Sequence, residues 1–127
     1  MNNAAVPANY NSLMPYLIVT NAREFMAFAS AVLGATEQAL HLRDDGAVMH
    51  AEMRIGNSVL MLADATEEFA PCPAGMYVYV PNADDSYNEA LQLGATSVMP
   101  MADKPYGRTG GIVDKWGNTW WLVTHTA

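Results

Sequence analysis

In the first half of the chain, the spacing of apolar residues is typical first of a strand, then of a helix, and then of three further strands. The apolar segment Leu13–Thr20 predicts a strand, and apolar residues at helical spacing follow it. The residues of this helical stripe are Phe25, Phe28, Ala29, Val32 and Leu33. Three further segments have strand character, and they are Gln38–Arg43, Ala47–Ile55 and Ser58–Ala63. The first half is therefore predicted to fold in the order strand, helix, strand, strand, strand.

The second half shows the same order. Tyr77 and Tyr79 share one face of a predicted fifth strand, and a second helical stripe follows at Tyr87, Ala90 and Leu91. The later strand segments are Thr96–Met101, Thr109–Val113 and Thr119–Thr124, with a loop containing Pro105-Tyr106-Gly107-Arg108 after the first of them. The chain is thus predicted to contain two half-domains of one design.

Residues suited to helix ends border both helical stripes. Asn21 stands at an N-cap position, and Glu24 three residues later predicts a capping box. Asn82 is predicted to cap the second helix in the same way. Gly34 and Gly94 stand where helices commonly end with a left-handed residue.

Short sequences also recur between the halves. The matching pairs are Tyr16–Ala22 with Tyr77–Ala83, Leu33–Thr36 with Leu93–Thr96, and Gly56-Asn57 with Gly117-Asn118, at offsets of 61, 60 and 61 residues. This duplication predicts one α+β domain over residues 1–127, with two tandem βαβββ modules whose curled mixed sheets form a cleft. Module 1 spans about 13–63, a linker 64–75, and module 2 about 76–125. The linker allows the modules to pair within one chain or to exchange with a second chain.

Composition excludes several classes of function. The chain has 127 residues, 51% of them hydrophobic, which suffices for a core, and no apolar run is long enough to span a membrane. Its net charge is −7 and its six basic residues are scattered, which argues against nucleic acid as a partner. Cys72 has no partner for an intrachain disulfide, and Met1–Ala5 lacks the positive region of a secretion signal, so a cytoplasmic location is expected. The acidic surface suits a cationic ligand or simply keeps the protein soluble.

The order strand-Asn-Ala-helix-Leu-Gly-Ala and the segment Asp114–Trp120 carry a likeness to a known superfamily. From about Leu13 to His125 the chain resembles the vicinal oxygen chelate superfamily, which includes glyoxalase I, bleomycin-resistance proteins and extradiol dioxygenases. The segment Met49–Asp64 and the last strand are similar to its PhnB-like branch. The resemblance implies a homodimer.

The resemblance also bears on metal binding. Metal enzymes of the superfamily take two ligands from each module, and the corresponding positions here are Met14, Leu60, Gly75 and Trp121. None of the four offers an oxygen or imidazole ligand suited to a divalent ion. The resemblance therefore implies a protein without a metal or other cofactor. The side chains at these four positions argue against the superfamily's metal-dependent reactions.

A second set of polar residues leaves an enzyme open. Strand alternation over Met49–Ile55 places His50 and Glu52 on one face, and His125 lies at the end of the last strand. If these faces meet in the cleft, the three residues suit a divalent metal or proton transfer in a lyase, isomerase or dioxygenase-like enzyme. Alternatively, Glu52 pairs with Arg54 or Arg43 on a solvated face, His50 makes a nearby hydrogen bond, and none of the three is catalytic.

Aromatic residues favour a binder that performs no chemistry. Trp120 and Trp121 are neighbours on one strand and so face opposite sides, and the register of the repeat places Trp121 in the cleft. Stacking there would suit a flat aromatic or cationic ligand. The predicted ligand-binding residues are Trp121, Tyr79, Tyr106, Met61, Leu60 and Arg108. The sequence thus favours sequestration of a small molecule, with the His50–Glu52–His125 enzyme as the alternative and a domain without a ligand as a third reading.

Overall fold

The computed structural model describes residues 4–126, and ten elements follow one another in two matching sets. Module 1 contains β1 (Tyr16–Val19), α1 (Ala22–Leu33), β2 (Thr36–Leu42), β3 (Val48–Ile55) and β4 (Ser58–Asp64). Module 2 contains β5 (Gly75–Tyr79), α2 (Ala83–Gln92), β6 (Thr96–Lys104), β7 (Gly107–Val113) and β8 (Thr119–His125). The predicted α+β class with two tandem βαβββ modules is confirmed. Met1–Asn3, part of the segment compared with secretion signals, lie outside the described residues.

Each module forms its own four-stranded mixed sheet. The strand order is β1-β4-β3-β2 in sheet A and β5-β8-β7-β6 in sheet B. In each sheet the first strand pairs in parallel with the last strand of the module, and the remaining pairs are antiparallel. The β1 strand begins at Tyr16 rather than at the predicted Leu13, whereas β6 runs to Lys104, three residues beyond the predicted Met101.

The two modules meet through their helices. Helices α1 and α2 contact each other, and the buried residues of both modules form one hydrophobic core. Trp116, in the loop between β7 and β8, packs edge-on against Phe25 and Phe28 of α1, with ring centroids 5.2 and 5.7 Å apart. Its indole Nε1 donates to the carbonyl oxygen of Thr20 at 2.6 Å. Within residues 4–126 no helix is long and apolar enough to cross a membrane.

The two helices begin differently. Asn82 caps α2 as predicted, since its side chain accepts from the Asp85 N–H at 3.1 Å. Asn21 has a left-handed backbone with φ of 61° and makes no capping bond, so the predicted capping box is wrong. The carboxylate of Asp64 takes that role, because its Oδ1 accepts from the Ala22 N–H at 2.7 Å. At the other end, Gly34 is the C-cap of α1 as predicted, whereas Leu93, the residue before Gly94, is the C-cap of α2.

A matching acceptor in module 2 fixes the register of the repeat. Thr124 Oγ1 accepts from the Ala83 N–H at 2.7 Å, so Thr124 and Asp64 occupy equivalent places at an offset of 60 residues. The hairpin between β3 and β4 has two connecting residues, whereas five, 114–118, connect β7 and β8. The recurring Gly-Asn pairs therefore lie in connections of different length and are not equivalent.

This offset changes the alignment of the last strands. Leu60 corresponds to Trp120, and both lie on the helix-covered face of their sheet with 3% and 2% of their surface exposed. Met61 corresponds to Trp121, and both lie on the opposite face. The predicted equivalence of Leu60 with Trp121 is thus wrong by one residue, which reverses the face.

Candidate functional site

Each sheet has one face covered by its helix and one face left open. On the open face of sheet B, Tyr77 lies directly opposite Trp121, and Tyr79 lies opposite Val123. We call Tyr77, Tyr79, Tyr106 and Trp121 the aromatic face, and their exposed fractions are 54%, 62%, 49% and 36%. Partial burial, together with the neighbouring Tyr79 and Tyr106 phenols, raises the pKa of Tyr77. Four large aromatic side chains on one side of a sheet form an apolar surface that remains open to solvent.

The Trp121 ring packs against the backbone at Gly111. Gly111 is the cross-strand partner of Trp121. A Cβ atom at this position would lie 2.6 Å from Cζ3 and 2.7 Å from Cε3 of the indole, and 3.1 Å from Cγ2 of Val98. Because these distances are shorter than van der Waals contact, only glycine lets the indole lie against the β7 backbone.

Replacing Gly111 by alanine is therefore expected to displace the Trp121 ring. We expect more quenching of tryptophan fluorescence by acrylamide and a loss of about 1–2 kcal/mol in the free energy of unfolding, because the added methyl overpacks the site. Gly75→Ala is the matched control on β5, where an added Cβ meets nothing within 4 Å. Unchanged quenching in Gly111→Ala would show that the ring is not held in this way.

A cluster of polar side chains occupies the open face of sheet A. Glu52 is only 6% exposed, and its Oε1 accepts from the Tyr10 hydroxyl at 2.6 Å and from Gln38 Nε2 at 3.0 Å. Its Oε2 lies 2.9 Å from His50 Nε2. Hydrogen bonds from Tyr10, then from His50, lower the pKa of Glu52 to about 2 despite its burial. The carboxylate is thus ionised at neutral pH.

The same cluster contains a chain of possible proton donors and acceptors. An ionised Glu52 only accepts, so His50 Nε2 carries a proton and donates to it. In a neutral imidazole Nδ1 is then an acceptor, and the Tyr16 hydroxyl lies 3.1 Å from it. Tyr16 is 47% exposed, so a hydrogen-bonded chain leads from a buried carboxylate to the solvent-facing surface.

The structure brings together two members of the predicted trio and separates the third. His50 and Glu52 are in contact, but His125 lies on sheet B with its ring 6.2 Å from that of Tyr79. Within the described residues, no three His, Cys, Asp or Glu side chains are grouped so that they could hold a metal ion. Sequence reasoning missed Tyr10 and Tyr16 as the partners of the pair.

Two other predicted ligand residues lie away from the aromatic face. Arg108 is on the helix-covered side, where Nε and Nη2 each bind the Asp84 carboxylate at 3.1 Å and Nη1 lies 3.4 Å from Asp103. Its guanidinium thus fastens β7 to α2. Leu60 is buried on the helix-covered face of sheet A.

A groove of about 610 Å³ lies between the modules and corresponds to the predicted cleft. Module 1 contributes Ile55–Leu60 to its lining, and module 2 contributes Met76–Tyr79 and Trp120. Trp120 rather than Trp121 is the tryptophan in this lining. Because Tyr77 and Tyr79 belong to both surfaces, the groove continues into the aromatic face.

Comparison with known proteins identifies relatives of both sequence and fold. No model of a known protein family matches the chain. An uncharacterized protein of Mycobacterium bovis is 28% identical over 123 residues, which cover 87% of this chain and 81% of the relative.

Three solved structures share the fold over most of their length. The PhnB protein of Bacillus cereus, described as a putative 3-demethylubiquinone-9 3-methyltransferase, has a TM-score of 0.72 and 22% identity, covering 90% of this chain and 99% of that one. A glyoxalase/bleomycin resistance protein from Streptomyces sp. CB03234 has a TM-score of 0.67 and 17% identity, with coverages of 87% and 97%. TnmS3, an antibiotic binding protein from the same strain, has a TM-score of 0.69 and 16% identity, with coverages of 95% and 100%. The chain has the fold of the glyoxalase/bleomycin resistance proteins, and this confirms the fold implied by the resemblance in the sequence.

Proposed function

We propose that this protein binds a small, flat aromatic molecule on the aromatic face without transforming it. The observation that carries the proposal is the Trp121 indole, which lies on Gly111 with about a third of its surface exposed beside Tyr77. Large exposed aromatic patches are uncommon on soluble proteins and commonly mark binding sites. Stacking on an indole and burial against tyrosines favour a planar ligand.

The geometry of the neighbouring rings suits a preformed wall for such a ligand. Tyr77 and Tyr79 pack edge to face, with centroids 5.5 Å apart, and Tyr79 packs in the same manner on His125. The adjoining groove of about 610 Å³ falls within the size range of small-molecule sites. A net charge of −7 favours a cationic ligand over an anionic one.

A protein of the same fold provides support for this class of function. TnmS3 is described as an antibiotic binding protein, so a protein with this fold can bind a small organic molecule. The identity of 16% does not transfer its ligand to this chain.

We also infer that the protein acts as a homodimer. Helices α1 and α2 face each other inside one chain, and the open faces of both sheets carry exposed apolar side chains. A second copy that covers these faces would enclose a ligand stacked on Trp121. Analytical ultracentrifugation tests this, and a monomer at micromolar concentration would contradict it.

The binding proposal is tested with a planar cation. We expect 9-aminoacridine to bind, to quench tryptophan fluorescence, and to bind roughly tenfold or more weakly to Trp121→Ala, because the stacking surface is removed. Neutral acridine reports how much of the affinity depends on charge. Trp116→Phe is the control, since Trp116 packs on α1 away from this face. Equal affinities of the wild type and Trp121→Ala would contradict the proposal.

An acid/base enzyme is the second candidate, and the chain Glu52–His50–Tyr16 favours it. This version keeps His50 and Glu52 from the predicted trio and replaces His125 by Tyr16, whose hydroxyl reaches the surface. His50→Gln would abolish a proton transfer at Tyr16 but leave binding of 9-aminoacridine on sheet B unchanged. The two functions are therefore separable by one variant.

A further inference from the structure

The N-terminal segment, residues 4–13, lies against the open face of sheet A without joining a strand of it. Hydrogen bonds with sheet side chains are among the contacts that hold it there. The Tyr10 hydroxyl donates to Glu52, and the guanidinium of Arg54 donates to the carbonyl oxygen of Asn9. A segment fastened by side chains rather than by a strand ladder can leave the sheet without breaking the sheet's own hydrogen bonds.

The Glu52 carboxylate, which accepts from Tyr10, is held in position by side chains of sheet A. Gln38 and His50 hold the Glu52 carboxylate from two sides, and Arg54 Nε fixes the Gln38 amide through its oxygen at 2.9 Å. Tyr10 therefore adds one hydroxyl to a carboxylate whose position is already set. Without that hydroxyl, a nearly buried charge would lose one of its donors, which is unfavourable.

The surroundings of the carboxylate suit an aromatic ring that carries one hydroxyl. A cavity of about 390 Å³ lies between the segment and the sheet, and its lining includes Val6, Pro7 and Tyr10 of the segment together with Met14, Glu52 and Met61. The negative charge disfavours an anion, and the nearby Arg54 guanidinium disfavours a cation. A phenol is neutral, offers an acidic O–H to a carboxylate, and buries its ring against methionine and proline side chains.

We infer that the Glu52 cluster is a binding site for phenolic small molecules, and that Tyr10 occupies it as an internal substitute which an external phenol displaces. The hydroxyl of the incoming phenol donates to Glu52 Oε1, and its ring takes the place of the Tyr10 ring. The site is on sheet A and is separate from the aromatic face, so the inference can be tested independently of the proposed ligand binding on that face.

The test uses p-cresol, the side chain of tyrosine as a free molecule, with calorimetric titration. We expect Tyr10→Ala to bind p-cresol at least about tenfold more tightly than the wild type does, because the occupant is removed. Toluene, which lacks the hydroxyl, should show no such gain in Tyr10→Ala, and the double variant Tyr10→Ala/Glu52→Gln should lose the gain for p-cresol. Tyr87→Ala, which removes a tyrosine of α2 that bonds Ser97 outside both proposed sites, is the matched control and should show no gain.

Two outcomes would overturn the inference. One is an affinity for p-cresol that is the same in Tyr10→Ala and in the wild type. The other is an equal gain in affinity for toluene and for p-cresol in Tyr10→Ala, which would mean that the site recognises only apolar space. Should Tyr10→Ala fail to fold, titration of the wild type by NMR decides the question, since p-cresol must shift the Tyr10 ring signals as it displaces that ring. Unchanged Tyr10 signals at saturating p-cresol would reject the inference.

Discussion

Replacement of Asp114 by alanine is expected to lower the free energy of unfolding by about 4 kcal/mol, because four donors lose one buried acceptor group. The carboxylate is 4% exposed. Its Oδ1 accepts from the N–H groups of Trp116 and Asn118, both at 2.9 Å. Its Oδ2 accepts from Asn118 Nδ2 at 3.0 Å and from Trp120 Nε1 at 2.7 Å. After the substitution, no carboxylate oxygen remains at this position to accept from the four donors.

The damage would extend beyond the loop that Asp114 organises. Asn118 Oδ1 accepts from the Ala74 N–H at 3.0 Å and so fastens the connection that leads into β5. Trp116 is the loop residue that packs on α1 and joins the modules. Loss of Asp114 therefore weakens both the folding of module 2 and its contact with module 1.

Urea unfolding at neutral pH measures the effect. Asp44→Ala, an exposed aspartate in the β2–β3 turn, is the matched control and should change stability by no more than about 0.5 kcal/mol. Asp114→Asn should fall between the two, since an amide keeps one acceptor oxygen and loses the charge. A loss below about 1 kcal/mol for Asp114→Ala would contradict this account.

The second large effect is a loss of stability in acid that depends on Glu52. Its pKa is about 2 in the folded protein against an ordinary value of 4.5, mainly because Tyr10 and His50 donate to it. Between these values the unfolded chain binds a proton that the folded chain does not. The contribution of Glu52 is therefore complete above about pH 5 and declines as the pH falls toward 2, by about 2 to 3 kcal/mol in all.

Comparison with Glu52→Gln isolates this contribution. The stability difference between the wild type and Glu52→Gln should be largest near neutral pH and should shrink steadily in acid. Glu68→Gln, at an exposed carboxyl in the connection between the modules, is the matched control and should change the free energy of unfolding by no more than about 0.5 kcal/mol. A wild-type advantage over Glu52→Gln that stays constant from about pH 6 to about pH 3 would show that the Glu52 carboxylate is not stabilised as its hydrogen bonds indicate.

The modules could be predicted from sequence because their signals are local. Period-two and helical spacing and a helix-ending glycine each act over a few residues, and the predicted elements are those observed. The group that caps α1 was not predicted because it is distant in sequence. The acceptor, Asp64, is 42 residues from Ala22, and only the folded sheet places the carboxylate above the helix.

The strand register and the polar cluster around Glu52 also depend on contacts that are distant in sequence, so they could not be predicted correctly. The repeated Gly-Asn pairs led to the alignment of Leu60 with Trp121, but the strand pairing makes Met61 equivalent to Trp121, because Tyr16 pairs with Met61 and Tyr77 pairs with Trp121. Gln38 reaches Glu52 where a bulge interrupts β2 pairing, which strand alternation does not predict. Tyr10 precedes every predicted element, so no periodicity pointed to it.

Asp64 has a further consequence for how the molecule loosens. Its two oxygens accept separately from Ala22 at the start of α1 and from Val48 at the start of β3, both at 2.7 Å, while Asp64 itself ends β4. One carboxylate thus ties three elements into a single cooperative unit, whose local opening exposes all three together. Thr124 in module 2 accepts from Ala83 of α2 but donates to the carbonyl of Val80 after β5. Although the modules share one architecture, we therefore expect the first to open locally as a helix with its β3 hairpin, and the second as a helix with the end of its parallel strand.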